Sequence, residues 1–329
     1  MPRAVIFSRY GGPEVLQVVE TTVPVPGPGE IVVQVMAAGL NPIETSIREG
    51  RLHAERPLRF PAGQGSDFAG VISRVGAEIV DWHVNDSVLG HAPQGAQAEF
   101  VLVSPGNIIA KPDGLSWEIA GSLFVAAASA WQAVQDVNPG PGRTVLVHAA
   151  AGGVGIIAAQ LAKRRGAIVI GTASRESFDR LRQIGVIPVE YGAGLPEELR
   201  KIAPHGVDAE LEHVTDPALA NVDAADNVAL TRIAQMIADR QITIPVAAIY
   251  PLADVELAYR ELEAGHAHGK IVLSMDPVEY SHQKVRGVDI RETEATRDAP
   301  DRQSGPPAHE VLPPVFGHRH RSTDPTAGG

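Results

Sequence analysis

The stretch that most constrains the fold is Arg143–Gly166, RTVLVHAAAGGVGIIAAQLAKRRG. Its β-branched run (Thr144, Val145, Val147) reads as a short buried strand. Ala150–Gly155 then reads as a tight turn, and Ile156–Arg165 carries apolar residues at helical spacing. A strand, a glycine turn and a helix start in that order form a cradle for a dinucleotide pyrophosphate. Gly152 brings the backbone close to the phosphates, Gly153 and Val154 carry the turn onward, and Gly155 lets the helix pack against the strand. The helix N-terminus presents its unbonded N–H groups. The first glycine of the G-x-G-x-x-G pattern is Ala150 here, so the pattern by itself also fits an ordinary βα turn.

Charge and composition narrow the classes around this core. A formal net charge of −11 argues against binding a phosphate backbone, which needs a basic face. No run of 18 apolar residues occurs, and MPRAVIFSRY enters a strand-like pattern at once, so neither a membrane span nor a signal peptide is expected. With no cysteine there is no disulfide framework, thiolate nucleophile or thiolate metal ligand. These features fit a cytoplasmic protein.

Along the chain, residues 1–115 look all-β: strands at Ala4–Phe7, Val15–Val19, Ile31–Ala37, Phe68–Val75, Val88–Leu89 and Gln97–Val103, with Gly and Pro between them, predict a small barrel. Asn41–Gly50 interrupts them as a short helix lining a cleft. Residues 116–228 form a second domain, of which 116–137 return to helical spacing, with Trp117, Ala120, Leu123 and Phe124 on one face. The domain then alternates β-α-β-α-β-α-β up to Val207–Leu211, the rhythm of a doubly wound parallel sheet. Between Val214 and Leu230 the rhythm stops in a polar stretch too short for two further βα units. Residues 229–276 resume with a helix, extended Ile242–Ile249, a helix and a strand at Ile271–Leu273. Residues 277–329 read as a disordered tail, in which His318 and His320 are solvated rather than metal ligands.

YGGPEVL near the start, GLNPIE, GQGSDFAGVISRVG, HAAAGGVG and the closing PVAAIYPLADVELAYRELEAGHAHGKIVL together resemble the quinone oxidoreductase branch of the medium-chain dehydrogenase/reductases, in order from residue 1 to about 275. The resemblance implies an α/β fold: a GroES-like β-barrel domain plus a truncated Rossmann doubly wound parallel sheet, with the C-terminal segment returning to the barrel. Zinc relatives use a Cys, a His of a Gly-His-Glu motif and a second Cys. The corresponding positions here read Asn41 and Gly65-Ser66-Asp67 with no cysteine, so zinc-independent chemistry is expected and no metal site. His53, His83 and His91 read as scattered loop or surface histidines, and His148 as a packed strand-end residue.

The acid that would accept a ribose 2′-OH about 20 residues beyond the turn is replaced by Ser174, with Arg175 beside it. A hydroxyl plus a guanidinium suits a 2′-phosphate and points to NADPH; Ser174 equally suits a helix N-cap. By resemblance, Tyr191 lies along the adenosine side, while Ser129 and Asn41 stand near the nicotinamide as the catalytic pair. Asp67 is a structural carboxylate, Lys270 closes the last strand, and Ser46 occupies a position where relatives carry a tyrosine. The implied reaction is hydride transfer to a small quinone or α,β-unsaturated carbonyl, with Asn41 steadying the oxyanion. An enoyl-thioester reductase is a third, related reading. The shortened Rossmann half implies weakened cofactor binding, reduced activity and loss of the homodimer typical of the family. The alternative is a catalytically silent nucleotide-binding or partner-binding remnant.

Overall fold

The computed structural model describes residues 1–212, 226–265, 267–275 and the strand 285–286. The barrel side begins with β1 (Arg3–Phe7), β2 (Gln17–Glu20) and β3 (Ile31–Gly39), followed by α1 (Pro42–Arg48) and β4 (Ala62–Gly63). It continues through β5 (Asp67–Val75), β6 (Ser87–His91), β7 (Phe100–Val103) and β8 (Ile108–Ala110). Val15 sits in a 3₁₀ turn, Pro13–Val15, rather than at the head of the second strand. Pro13 fixes its own φ and offers no N–H to a ladder. β3, nine residues long, pairs antiparallel with β5 and β7, and its inward residues Ile31, Val33 and Val35 are buried with Phe68 and Ile72 of β5.

The face expected from Trp117, Ala120, Leu123 and Phe124 is divided between α2 (Trp117–Ala120) and α3 (Phe124–Val137). The break lies where the chain presses on β3: a Cβ on Gly121 would stand 2.4 Å from Ala37 O, and the Gly121 carbonyl accepts the Gly39 N–H at 2.7 Å. The α/β side follows as β9 (Thr144–Val147), α4 (Gly153–Arg164), β10 (Ile168–Ala173), α5 (Phe178–Gln183), β11 (Ile187–Glu190), α6 (Leu195–Ile202) and β12 (Ala209–Leu211). The four strands are parallel in the order β11-β10-β9-β12. Alternation along β9 divides the faces: Val145 and Val147 join the core with α4 and α5, while Leu146 joins Ile170, Val189 and the α6 residues Leu195 and Leu199. Alanines 126, 127 and 130 of α3 and 158, 159 and 162 of α4 are fully buried in the same core, small enough to let the two helices approach closely.

After residues 213–225, which lie outside the described residues, come α7 (Asn227–Ala238), β13 (Val246–Pro251), α8 (Val255–Glu263), β14 (Lys270–Ser274) and β15 (Val285–Arg286). The expected segment 229–276 is shared between the two sides. Leu230, Ile233, Ala234 and Ile237 of α7 pack in the core of α3 and α4, whereas β13 and β14 join the barrel sheet, β14 antiparallel to β3. Within the extended stretch Ile242–Ile249, Ile242 and Ile244 precede the strand β13. They are buried with the α/β core, and the Gln160 amide bonds both the N–H and the C=O of Thr243 at 2.9 and 2.8 Å. Asp226 caps α7, and Asn227 bonds Gly106 O of the barrel at 2.8 Å. Within the tail read as disordered, 285–286 pair antiparallel with β13, correcting that reading at those two residues; His318 and His320 lie outside the described residues.

Candidate functional site

The turn between β9 and α4 is built as a phosphate cradle. Ala149 takes a left-handed φ of +47°, held by its N–H donating to Thr172 Oγ1 at 2.9 Å, while the Ala150 N–H bonds Thr172 O. Gly152 is the N-cap of α4 in extended conformation, and the first intrahelical bond is from Ile156 to Gly152 O. The N–H groups of Gly153, Val154 and Gly155 therefore precede the helical ladder and point out of its N-terminus. A Cβ on Gly155 would stand 2.3 Å from Ala149 O, so only glycine lets the helix start this close to the strand. The missing first glycine is explained next door: a Cβ on Gly171 of β10 would stand 2.6 Å from the Ala150 Cβ. The space for the Ala150 methyl comes from a glycine on the neighbouring strand.

At the sheet edge, Ser174 occupies an N-cap position by backbone but caps nothing; its Oγ is buried without a hydrogen-bond partner among the described residues. The capping alternative for its side chain is thereby corrected. Arg175 reaches Glu190 through Nε and a terminal nitrogen, both at 2.9 Å, and that carboxylate raises its pKa through the hydrogen bond first and charge second. Tyr191 follows Glu190 and is 59 % exposed. The orphan hydroxyl, the cradle and the helix N-terminus fit the adenosine and pyrophosphate half of a dinucleotide.

The opposite half centres on a buried polar network that sequence reasoning did not assemble. Asn41 caps α1. Its amide hydrogens go to Asp67 Oδ2 at 3.1 Å and Glu44 Oε1 at 3.3 Å, and its Oδ1 accepts from Lys270 Nζ at 2.6 Å. Lys270, expected only to close the last strand, also donates to Leu40 O at 3.1 Å and lies 3.8 Å from Asp67. Its stem runs against the cradle: a Cβ on Gly153 would stand 2.6 Å from Lys270 Cδ. Asp67 accepts the Val125 N–H of α3 at 2.9 Å, the structural role expected of it. Ser129 stands half-buried further along α3, and Ser46 accepts from Arg51 at 3.0 Å. Glu44 also accepts from the Ser66 N–H at 2.8 Å and from Tyr259 OH at 2.5 Å.

Burial sets the protonation of this network. Desolvation raises the Glu44 pKa, the Asp67 charge adds to the rise, and the Tyr259 and Asn41 hydrogen bonds oppose it. Burial lowers Lys270, against the attraction of Asp67 and Glu44. Between 4.5, the ordinary value, and the raised folded value of Glu44, the native state holds the extra proton, so this group's contribution to stability falls as pH rises through that window. Lys270 acts in the opposite sense: stability rises with pH from its lowered folded value to 10.5. Glu44→Gln is expected to flatten the acid-side slope in urea melts at stepped pH. An unchanged slope would assign the effect to another group.

These donors do not fit zinc. At the positions of the zinc ligands an ammonium already occupies Asn41 Oδ1, and Asp67 is spent on backbone and amide hydrogens. His53 bonds Tyr10 at 2.8 Å, whereas His91, expected in a loop or at the surface, is instead buried at the end of β6 and stacks on Phe124 at 5.9 Å, so they do not converge. Elsewhere, His148 with Glu210 and Glu212 brings three ligand atoms within 4.8 Å of one another. His148, expected to pack at a strand end, is part-exposed and hydrogen-bonds Glu210 at 3.1 Å. Across the barrel face of α1, Ile47, Arg56, Leu58, His91 and Gln94 line a cleft of about 270 Å³. His91 is paired in register with Asp67, which places this cleft beside the network.

Residues 27–113 match the family model of the alcohol dehydrogenase GroES-like domain, and residues 158–273 match that of a zinc-binding dehydrogenase. The synaptic vesicle membrane protein VAT-1 homolog of Danio rerio is 37% identical over 215 residues, 64% of this chain and 44% of the relative. The quinone oxidoreductase of Pseudomonas aeruginosa is 37% identical over 188 residues, 56% of this chain and 57% of the relative. The Escherichia coli quinone oxidoreductase, solved in complex with NADPH, matches with a TM-score of 0.73 at 27% identity, covering 83% of this chain and 99% of that one. The chain spans about half the length of the curated relatives it matches. Among the described residues no helix is long and apolar enough to cross a membrane. With its barrel, its parallel sheet and these matches, the chain belongs to the quinone oxidoreductase-like branch of the medium-chain dehydrogenase/reductases.

Proposed function

We propose that the chain is a zinc-independent oxidoreductase that uses NADPH to reduce a small quinone or α,β-unsaturated carbonyl. The observation that carries this reading is the cradle at 149–155, where glycine packing and the first N–H groups of α4 are arranged for a pyrophosphate. Bound there, NADPH would supply the hydride. Gly152, Gly153, Val154 and Gly155 hold its phosphates, Ser174 and Arg175 meet the adenosine 2′-phosphate, and Tyr191 flanks the adenosine. Ser129 and Asn41 face the nicotinamide side. The cleft at Ile47 and His91 is of a size for a monocyclic acceptor, with Ile47 and Leu58 offering apolar contact and Arg56, His91 and Gln94 polar groups.

A second reading, a nucleotide binder without turnover, is favoured by one specific observation. Asn41 has both amide hydrogens and its oxygen engaged, so it has none to offer an oxyanion in this arrangement. Oxidation of NADPH by 1,4-benzoquinone, followed at 340 nm, separates the two. The first reading predicts saturable turnover, slow because the sheet has four described strands, and a monomer in light scattering. Saturable NADPH binding with no turnover selects the second. Rapid turnover by a stable dimer would contradict the expected weakening.

A further inference from the structure

We propose, resting on the dinucleotide-site reading above, that Glu190 offsets the preference for a 2′-phosphate expected from Ser174 and Arg175 by competing for the Arg175 guanidinium, leaving a site that accepts NADPH but barely discriminates it from the unphosphorylated dinucleotide. Arg175 follows β10 and Glu190 ends β11, and the register pairs Ala173 with Glu190 across the two parallel strands. The ion pair therefore spans the carboxyl edge of the sheet, where open α/β sheets bind ligands. Both contacting guanidinium nitrogens converge on one carboxylate oxygen, Oε2, at 2.9 Å. Ser174, the residue before Arg175, keeps a buried hydroxyl without a partner among the described residues. The same corner thus holds a donor in want of a ligand and a cation that already has one.

The rest of the local charge works in the same direction. Glu198 of α6 acts on Arg175 as a second negative group. On the other side, Glu176 is engaged by His268 Nε2 at 2.9 Å, and Ser177 Oγ meets His268 Nδ1 at 3.0 Å, so that acid is tied away from the corner. A 2′-phosphate carries a charge of about −1.5 to −2 and must displace Glu190 from the guanidinium, exchanging one anion for another beside the carboxylate it has displaced. A ribose 2′-OH leaves the ion pair intact and can donate to the carboxylate or to Ser174 Oγ. The gain expected from a serine and an arginine at this position is cancelled by an acid fifteen residues further along the chain.

The test is calorimetric titration of the full chain with adenosine 2′,5′-bisphosphate and adenosine 5′-monophosphate, which reports on binding without any turnover. The chain should bind the two within about threefold of each other. Glu190→Gln should tighten the bisphosphate about five- to tenfold, the scale of releasing a charge-assisted pair at an exposed site, and leave the monophosphate unchanged. Arg175→Ala should abolish the difference in both backgrounds. Both residues are exposed, so neither substitution endangers folding. Binding of both nucleotides with no effect of Glu190→Gln, or a strong bisphosphate preference in the unaltered chain, overturns the proposal alone. Binding of neither nucleotide overturns the dinucleotide-site reading, and the proposal with it.

Discussion

Lys270→Met is expected to lower the unfolding free energy by about 3–5 kcal/mol, the scale of removing one partner from a buried charge network. The ammonium is only 6 % exposed and answers four groups: Leu40 O, Asn41 Oδ1 and the charges of Asp67 and Glu44. Methionine keeps most of the volume and removes the charge and its donors. What remains is Asp67, fully buried, and an Asn41 oxygen with no proton facing it. Urea unfolding at neutral pH measures the loss. Adding Asp67→Asn to Lys270→Met should recover part of it, because the carboxamide oxygen can still accept the Val125 N–H while the uncompensated charge is gone. A loss below about 1 kcal/mol, or no recovery in the double variant, would mean that the carboxylates are neutralised by another route.

How much of this was legible depends on how far apart in the chain the cooperating residues lie. The cradle is local: strand, turn and helix start occupy one run of 24 residues, and backbone geometry dictates where glycine must stand. Asn41 and Glu44 are local too, and their N-x-x-E spacing is the signal of a capping box at the start of the cleft helix. Lys270 is different. It meets Asn41 across 229 positions because β14 returns antiparallel to β3, and a lysine before an apolar Ile-Val-Leu run reads as the exposed end of a strand. Glu190 likewise becomes the partner of Arg175 only through the β10–β11 register. The alanine in place of the first turn glycine looked like a weakness of the pattern. It is compensated by Gly171, a relation that exists only once β9 and β10 lie side by side.

The two outer glycines of the cradle separate folding from binding. Gly155→Ala places a methyl 2.3 Å from Ala149 O and 2.9 Å from Ala150 Cα. Both are backbone atoms pinned to Thr172, so the start of α4 must move. Overpacking of this kind costs about 1–3 kcal/mol, and the displaced N–H groups should lower NADPH affinity at least about tenfold, since a shift near 1 Å breaks charge-assisted hydrogen bonds. Gly152→Ala meets only one atom, Ala149 O at 3.2 Å, and Gly152 has φ −78°, a conformation any residue adopts. That variant should keep its stability within about 1 kcal/mol, because reduced freedom of the unfolded chain offsets the tight contact. Its methyl nevertheless stands where the backbone would approach the pyrophosphate. Titrating both variants with NADPH, beside their urea melts, gives two outcomes of different meaning. Loss of binding in a fully stable Gly152→Ala chain supports the phosphate site at this turn. Unchanged affinity in that chain, with only Gly155→Ala impaired, would make the glycines packing residues and move the nucleotide elsewhere.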